Sequence, residues 1–260
     1  MTTETETKKV IAAESGHWYD GKTGEPRYTI IGKNGKKRAT TLRDARTENL
    51  VPSVTSVLGL LTRPGLEAWK QNNILLSAAT MPHDPNIPLE AWCDAVVADA
   101  KAQSEKAMQL GTDIHAAIEI YLNGETIDPL YIPYVMPVIQ EMEHRGWLEK
   151  RNIEHSFAHK AGFGGKSDFF NDTVMIDFKT KAFTRKDVEE NKKLAWDEQC
   201  YQLAAYRYGM YLEHLACINI FISTTEPGLF YVHEWDNSEI QHGEGVFLQA
   251  LKLWKLIKNF

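Results

Sequence analysis

Two short segments near the middle of the chain, residues 165–170 and 174–179, have hydrophobic and polar positions typical of neighbouring β-strands. Successive side chains on a strand point to opposite faces. Asp177 and Lys179 are therefore predicted to share one face, while Phe178 points the other way into a core. Asn171 and Asp172 both favour turns, so we expect a hairpin with these two residues as its loop.

This loop fixes a register between the two predicted strands. It pairs Phe170 with Thr173 and Asp168 with Met175, which places Asp168 on the face of Asp177 and Lys179. The Cα atoms of the two aspartates would then be diagonal neighbours, roughly 7–8 Å apart. Two carboxylates at this spacing can hold a divalent ion, and a lysine beside them can stabilise developing negative charge. An Asp-x-Lys triplet alone is more often a solvated strand edge with an ion pair.

The remaining hydrophobic pattern predicts an α/β fold with a mixed sheet flanked by helices. Gly111 is a candidate break in the longest helix. The chain is expected to divide into a disordered tail (1–12), a small β appendage (13–50), a helical region that contains His115 (51–150) and a core of sheet and helices (151–260). Helices are expected near residues 53–61, 66–79, 89–122, 132–146, 199–213 and 239–258, and further strands near 152–157, 217–222 and 229–232.

Two helical segments carry polar residues on one face. Gly111, His115 and Glu119 are spaced by four and form one line on a helix, although such a histidine taken alone is more often a partly buried structural residue. Gln202 and Tyr206 likewise share a face of the helix near 199–213, where they could hydrogen-bond a phosphate or a carboxylate.

Residues on the approach to the first aspartate add two signals. Glu154 lies on the strand predicted before the hairpin. Gly162, Gly164 and Gly165 precede Asp168, where the backbone turns or a ligand approaches closely.

Taken in order, these residues resemble the PD-(D/E)xK nuclease superfamily. The similar branch is that of the RecB-like exonucleases, which includes phage exonucleases and the mitochondrial genome maintenance exonuclease. Pro52-Ser53-Val54-Thr55-Ser56-Val57-Leu58 also looks like the "PSVTxxL" opening of that branch. Ser167 stands where the superfamily has its proline. The matching residues are His115, Glu154, Asp168, Asp177-Phe178-Lys179 and Gln202-Leu203-Ala204-Ala205-Tyr206, so that the resemblance spans roughly residues 50–235.

The resemblance implies a restriction-endonuclease-like fold, a helical channel and a metal-dependent DNA exonuclease. Asp168, Asp177, His115 and the Phe178 carbonyl would be ligands of one or two Mg²⁺ ions, which Mn²⁺ could replace. Lys179 would be the catalytic lysine. Gln202 and Tyr206 would support the site or contact the DNA backbone, and Glu154 would be a further acidic residue near the metals. The implied substrate is single-stranded or end-bearing DNA, in phage-type recombination, replication or repair.

The formal net charge of −6 is unusual for a DNA-binding protein, because such proteins commonly show a basic surface. Bound cations would offset the carboxylates of a metal site. Lys181, Arg185 and Lys186 follow the second strand of the hairpin directly, and we expect them to contact DNA phosphates. Charge runs of this kind are otherwise solvated surface.

The cysteine content and the lack of a membrane signal limit the cellular compartments in which the protein is expected. Cys93, Cys200 and Cys217 are widely spaced and fit no zinc or disulfide framework, and three cysteines exclude the four-cysteine iron–sulfur cluster of some relatives. The chain has no secretory pattern near its start and no apolar run of about 20 residues. We therefore expect reduced thiols in the cytoplasm, the host cytoplasm if the protein is phage-encoded, and no membrane partner. The sequence gives no indication of protein partners.

Three other functions remain open at this stage. A structure-selective endonuclease on the same fold differs from an exonuclease only in whether helices close a channel. A DNA-binding module without catalysis is disfavoured by the intact set of Asp168, Asp177 and Lys179. A zinc hydrolase built on His115 and Glu119 lacks the second histidine of H-E-x-x-H.

Overall fold

The computed structural model describes residues 17–260, and its centre is a five-stranded mixed sheet. In chain order the strands are β1 (Trp18–Asp20), β2 (Thr29–Ile31), β3 (Lys37–Ala39), β4 (Leu50–Pro52), β5 (Asn152–His159), β6 (Phe163–Phe170), β7 (Val174–Lys181), β8 (Ala216–Ser223) and β9 (Phe230–Trp235). The large sheet has the order β5-β6-β7-β8-β9, in which β7 and β8 are parallel and the other neighbours antiparallel. The predicted tail, residues 1–12, lies outside the described residues.

Helices cover both faces of this sheet. They are α1 (Leu42–Glu48), α2 (Val54–Leu58), α3 (Pro64–Thr80), α4 (Leu89–Leu122), α5 (Ile132–His144), α6 (Arg185–Glu189), α7 (Asp197–Gly209) and α8 (Asn237–Lys258), with a short 3₁₀ turn at Pro129–Tyr131. The parallel pair β7 and β8 requires a crossover, and the segment that carries α6 and α7 provides it. The predicted α/β class, a mixed sheet flanked by helices, is confirmed. None of the helices between residues 17 and 260 combines the length and apolarity of a bilayer span.

Strand alternation divides the core into two layers. Ile176 and Phe178 of β7 belong to a cluster that includes residues of α4 and α5, such as Ile114 and Val138. Met175 of the same strand belongs to a second cluster, with residues of α2, α7 and α8. The predicted burial of Phe178 away from the aspartate face is confirmed, since it is 2% exposed. Asp177 and Lys179 consequently lie on the side of the sheet that faces α7.

The predicted hairpin loop is wrong by one residue. Asn171 donates its N–H to the carbonyl of Val174 (3.0 Å), so that the loop is Asp172-Thr173. The Asn171 side chain holds this loop, because its Oδ1 accepts from the N–H groups of Thr173 (2.8 Å) and Val174 (2.9 Å). Its buried amide nitrogen also donates to the Trp147 carbonyl. Turn propensity favours Asn both within the two-residue loop and directly before it. Only these hydrogen-bond partners place Asn171 directly before the loop.

The corrected register moves the pairing by two residues. Phe170 pairs with Met175 and Phe169 pairs with Ile176, and no pair is assigned between β6 and β7 before Phe169. A shift of two preserves the faces, because side chains on a strand alternate with a period of two. The register, if continued, would place Asp168 directly opposite Asp177 rather than diagonal to it.

The region before the helices packs directly on the large sheet. β1 pairs with β4 and β2 pairs with β3. Trp18 and Leu50 of the first pair share a core with α7 and α8, and Ser53 forms an isolated bridge with Gly164 of β6. Ser53 also caps α2 by accepting from the Ser56 N–H at 3.0 Å. The division into an appendage, a helical region and a core stays a prediction.

Candidate active site

Asp177 is held at the centre of a hydrogen-bond network on β7. Its side chain is 2% exposed, and Lys179 Nζ lies 2.6 Å from each of its carboxylate oxygens. Gln202 Nε2 donates to Oδ1 at 3.0 Å, and Asn219 Nδ2 donates to Oδ2 at 2.7 Å. A buried carboxylate is stable only with such partners. Its orientation is therefore fixed by groups from β7, α7 and β8.

Helix α7 supplies two of the predicted residues from successive turns. Gln202 and Tyr206 are four residues apart, and the second amide hydrogen of Gln202 serves Tyr206 Oη at 3.0 Å. Burial and the negative charges of Asp177 and Asp168 raise the pKa of Tyr206 well above its ordinary value. The phenol therefore keeps its proton at working pH. Gln199, which precedes Gln202 by three residues on α7, instead accepts from the Trp196 N–H at the start of the helix.

Asp168 reaches the same region from β6, at the point where the β6–β7 pairing ends. Its Oδ2 accepts from the Phe178 N–H at 2.9 Å, and its side chain is 18% exposed. Burial, and secondarily the charge of Asp177, raise the pKa of Asp168, whereas Lys179 and the Phe178 N–H oppose this rise. The two carboxylates thus repel one another in the protein alone, and a cation beside them would relieve that repulsion.

His115 approaches this point from α4. Its Nδ1 lies 3.7 Å from Asp168 Oδ2, and its ring contacts Phe178 edge-on at a centroid distance of 6.3 Å. Burial, followed by the positive charge of Lys179, lowers the pKa of His115 from 6.5 to about 4. The imidazole is consequently neutral at neutral pH, which is the form that binds metals.

Glu154 lies beside Asp168 in an unusual conformation. It stands between the β5–β6 pairs Ile153–Phe169 and His155–Ser167, level with Asp168. Its φ of 52° is in the left-handed region, which is uncommon for a residue other than glycine within a strand. Its carboxylate forms an ion pair with Lys166. The structure therefore brings Glu154 near Asp168, with a lysine already bound to it.

The donors at this site suit a hard divalent cation. Asp168 and Asp177 offer carboxylate oxygens and His115 a neutral ring nitrogen, and such a set matches Mg²⁺ or Mn²⁺. The Phe178 carbonyl, the fourth ligand that the resemblance implies, belongs to the residue whose N–H holds Asp168. Within residues 17–260 no three His, Cys, Asp or Glu side chains stand in an arrangement ready to hold a metal. The chemistry of the donors fits the ion. To bind it, Asp177 would have to replace part of its contact with Lys179 by a contact with the metal.

The three predicted DNA-binding residues differ in their surroundings. Lys181 is half-buried, donates to the Leu194 carbonyl at 3.1 Å and lies 5.8 Å from the centre of the Trp196 ring. Arg185 is exposed at the start of α6, where its N–H contacts Glu226. Lys186 is exposed and forms a surface ion pair with Glu190 at 3.6 Å. Contact of these residues with DNA stays a prediction.

Asn219 is a site residue that the sequence reasoning missed. It is the polar residue in the apolar run Cys217-Ile218-Asn219-Ile220-Phe221-Ile222, and it is fully buried. The parallel register places it directly beside Asp177. A single amide within a buried strand must find a partner, so its position was a usable signal. Its partner required the strand order, which the sequence pattern did not contain.

Helix α4 is continuous through Gly111, where a break was a candidate, and glycine is needed there for close approach. A Cβ at Gly111 would lie 2.5 Å from Thr180 Oγ1 on β7. We expect Gly111→Ala to push α4 outwards and displace His115, which lies one turn further on, lowering DNA cleavage, the activity that the resemblance implies, about tenfold or more. A cleavage assay together with thermal unfolding measures this.

Gly245→Ala is the matched control for this substitution. It is also a glycine within a helix, α8, but a Cβ there meets no atom within 4 Å. Alanine should leave cleavage unchanged and raise stability by about 0.5–1 kcal/mol. Equal activity of both variants would show that α4 does not need this close contact.

Comparisons with known proteins give weak likenesses. No protein-family model and no curated protein matches the chain. An alkaline exonuclease (LHK-Exo) from Laribacter hongkongensis is similar over 74% of this chain and 96% of its own, with 16% identity and a TM-score of 0.35. The crystal structure of SSO0001 is similar with 16% identity and a TM-score of 0.27. It covers 46% of this chain, which spans 59% of the SSO0001 structure. With TM-scores this low, what the chain does has to be inferred from its own site.

Proposed function

We propose that this chain is a metal-dependent deoxyribonuclease that hydrolyses phosphodiester bonds. One observation carries the proposal: two repelling carboxylates, Asp168 and Asp177, lie at one point of the sheet with the Lys179 ammonium and the neutral His115 imidazole. This is the set of groups that metal-assisted hydrolysis of a phosphate ester uses. The resemblance to RecB-like exonucleases assigns the same residues.

Each side chain has a role that follows from its contacts. Asp168, Asp177, His115 and the Phe178 carbonyl would hold one or two Mg²⁺ or Mn²⁺ ions. A bound ion would polarise a phosphoryl oxygen of the substrate and acidify a water molecule. Lys179, which pairs with Asp177 in the protein alone, stabilises negative charge that develops on the phosphate.

Helix α7 supports this arrangement. Gln202 donates its own hydrogen bond to Asp177 Oδ1, independently of Lys179. Gln202 would therefore still hold the Asp177 carboxylate when the Lys179 ammonium turns towards the substrate. Tyr206 retains its proton and presents a hydroxyl one helical turn from Gln202. Glu154 would add negative charge near the ions once Lys166 contacts a phosphate instead.

We further propose that the substrate is single-stranded or end-bearing DNA and that cleavage is exonucleolytic, in phage-type recombination, replication or repair. Helices α3 and α4 would form a wall of the channel that admits a strand end. Trp69 on α3 remains 36% exposed, so its ring is accessible to a base. Lys181, Arg185 and Lys186 would contact the backbone of the strand.

Cleavage of linear and circular single-stranded DNA tests both the proposed metal-dependent nuclease activity and its proposed exonucleolytic mode. We expect cleavage in Mg²⁺ or Mn²⁺, none in excess chelator, and linear strands to be degraded at least about 100-fold faster than circles, because a closed channel admits only ends. Failure to cleave either substrate with either metal would leave a DNA-binding module. Equal rates on the two substrates would instead establish an endonuclease.

A further inference from the structure

The buried Asn219 side chain joins Asp177 to the edge of the sheet. Its Nδ2 donates to Oδ2 of Asp177 at 2.7 Å and to the main-chain carbonyl of the same residue at 3.2 Å. Its Oδ1 accepts from Trp235 Nε1 at 2.7 Å. All polar atoms of this amide are therefore engaged, on a residue that is fully buried.

Trp235 determines which way the Asn219 amide points. An indole N–H can only donate, so the end of the amide that faces Trp235 has to be the oxygen. The NH₂ end is thereby directed at Asp177. A flipped amide would place an acceptor against the carboxylate, which is costly for the fully buried Asn219, and would remove the acceptor of the indole N–H.

Strand register and packing explain why Trp235 is available for this contact. Asn219 pairs with His233 of β9, and Trp235 is two residues further along on the same face. The rings of His233 and Trp235 lie 4.2 Å apart at an interplanar angle of 78°. The indole therefore packs against the His233 ring and donates to the Asn219 amide in the same arrangement.

We infer that Asn219 and Trp235 are positioning residues that hold the Asp177 carboxylate in its metal-binding orientation, an inference that rests on the proposed nuclease function. Rotation about χ2 of an aspartate is soft, so a carboxylate without fixed partners samples many orientations. Lys179 contacts both carboxylate oxygens, whereas Gln202 donates to Oδ1 and Asn219 donates to Oδ2. When the ammonium turns to the phosphate, Asn219 and Gln202 keep the two oxygens in place.

The test compares Trp235→Phe and Asn219→Leu with a matched control, Trp18→Phe. Each Trp→Phe change removes one indole N–H and keeps an aromatic ring. Trp18 Nε1 is buried but has no hydrogen-bond partner among the described residues. The readouts are kcat and KM for a linear single strand, Mn²⁺ affinity by calorimetry, and the unfolding midpoint of each variant.

We expect kcat to fall about tenfold in Trp235→Phe and about 100-fold in Asn219→Leu, since partners that orient a metal ligand commonly contribute 10–100-fold. Mn²⁺ affinity should fall in both variants, with KM for DNA changed less than about twofold. Trp18→Phe should match the wild type in all of these. A purely structural role would lower the unfolding midpoint and leave kcat and Mn²⁺ affinity of the folded protein unchanged.

Failure of the inference and failure of the proposed function give different results. If the wild type cleaves DNA and Trp235→Phe behaves like Trp18→Phe, the positioning role is wrong and the nuclease proposal stands. If the wild type cleaves no DNA but binds Mn²⁺ more tightly than Trp235→Phe does, the nuclease proposal fails while the positioning role holds. Absence of Mn²⁺ binding by the wild type would overturn both.

Discussion

Replacing Lys179 by alanine is expected to lower kcat for DNA cleavage by about 10²–10³-fold, the typical loss for one preorganised group that stabilises transition-state charge. The ammonium lies 2.6 Å from both oxygens of Asp177, at the point where a bound phosphate would meet the carboxylates. Its positive charge also helps to keep His115 neutral. DNA binding should change much less than kcat, because the remaining contacts to the strand are intact.

Lys150→Ala is the control for this substitution. Lys150 pairs with Asp172 in the loop that follows β6, but both side chains are largely exposed, and such pairs contribute little. This variant should retain wild-type kcat and stability. If Lys179→Ala kept more than about a tenth of wild-type kcat, the lysine would have no direct role in the reaction.

Local patterns were sufficient to predict most of the elements near the site. Alternation along residues 174–179 identified the face of Asp177 and Lys179, and helical spacing identified the shared face of Gln202 and Tyr206. These patterns depend on neighbours within one strand or within two turns of a helix, which are close in sequence. The hairpin loop was misplaced because Asn171 is fixed by a carbonyl 24 residues away, that of Trp147.

The support of the site depends on contacts between distant parts of the chain. Asn219 is 42 residues from Asp177, and their contact follows from the parallel pairing of β7 and β8. Trp235 enters through β9, whose place at the sheet edge has no signature in the local pattern. The approach of α4 depends on a distant contact in the same way, because the glycine at position 111 faces Thr180 of β7, which is 69 residues further along the chain. The contacts that support the site therefore follow from strand order and close packing, which the periodicity of the sequence does not contain.

Asp168→Asn is expected to have opposite effects on catalysis and stability. Cleavage should fall at least about 10³-fold, because the variant lacks one of the two carboxylates that hold the ion and metal-derived stabilisation amounts to several kcal/mol. The metal-free protein should nevertheless become more stable at pH 8. Asparagine can still accept the Phe178 N–H through Oδ1, and it removes the repulsion between Asp168 and Asp177.

The pH dependence of this stabilisation has a defined sign. The pKa of Asp168 is raised in the folded protein above its ordinary value of 3.8, so the folded state binds a proton that the unfolded state has lost. This group therefore lowers the free energy of unfolding as pH rises from about 4 to the folded pKa. The gain from Asp168→Asn should grow over the same range, with each kcal/mol raising the unfolding midpoint by about 2–4 °C.

Below neutral pH, His115 makes the free energy of unfolding rise with pH, which is opposite to the effect of Asp168. Because both proteins contain His115, the stability difference between Asp168→Asn and wild type isolates the contribution of Asp168. Its lowered pKa means that the unfolded state takes up a proton first as pH falls from 6.5 towards about 4, which destabilises both proteins.

Thermal unfolding of the metal-free proteins between pH 5 and pH 8, with Asp172→Asn as control, measures the difference in stability between Asp168→Asn and wild type directly. Asp172 is exposed in the adjacent loop and should give no such trend. A stability difference between Asp168→Asn and wild type that stays constant with pH would mean that Asp168 is ionised in the folded protein, and the repulsion that a bound cation is proposed to relieve would then be absent.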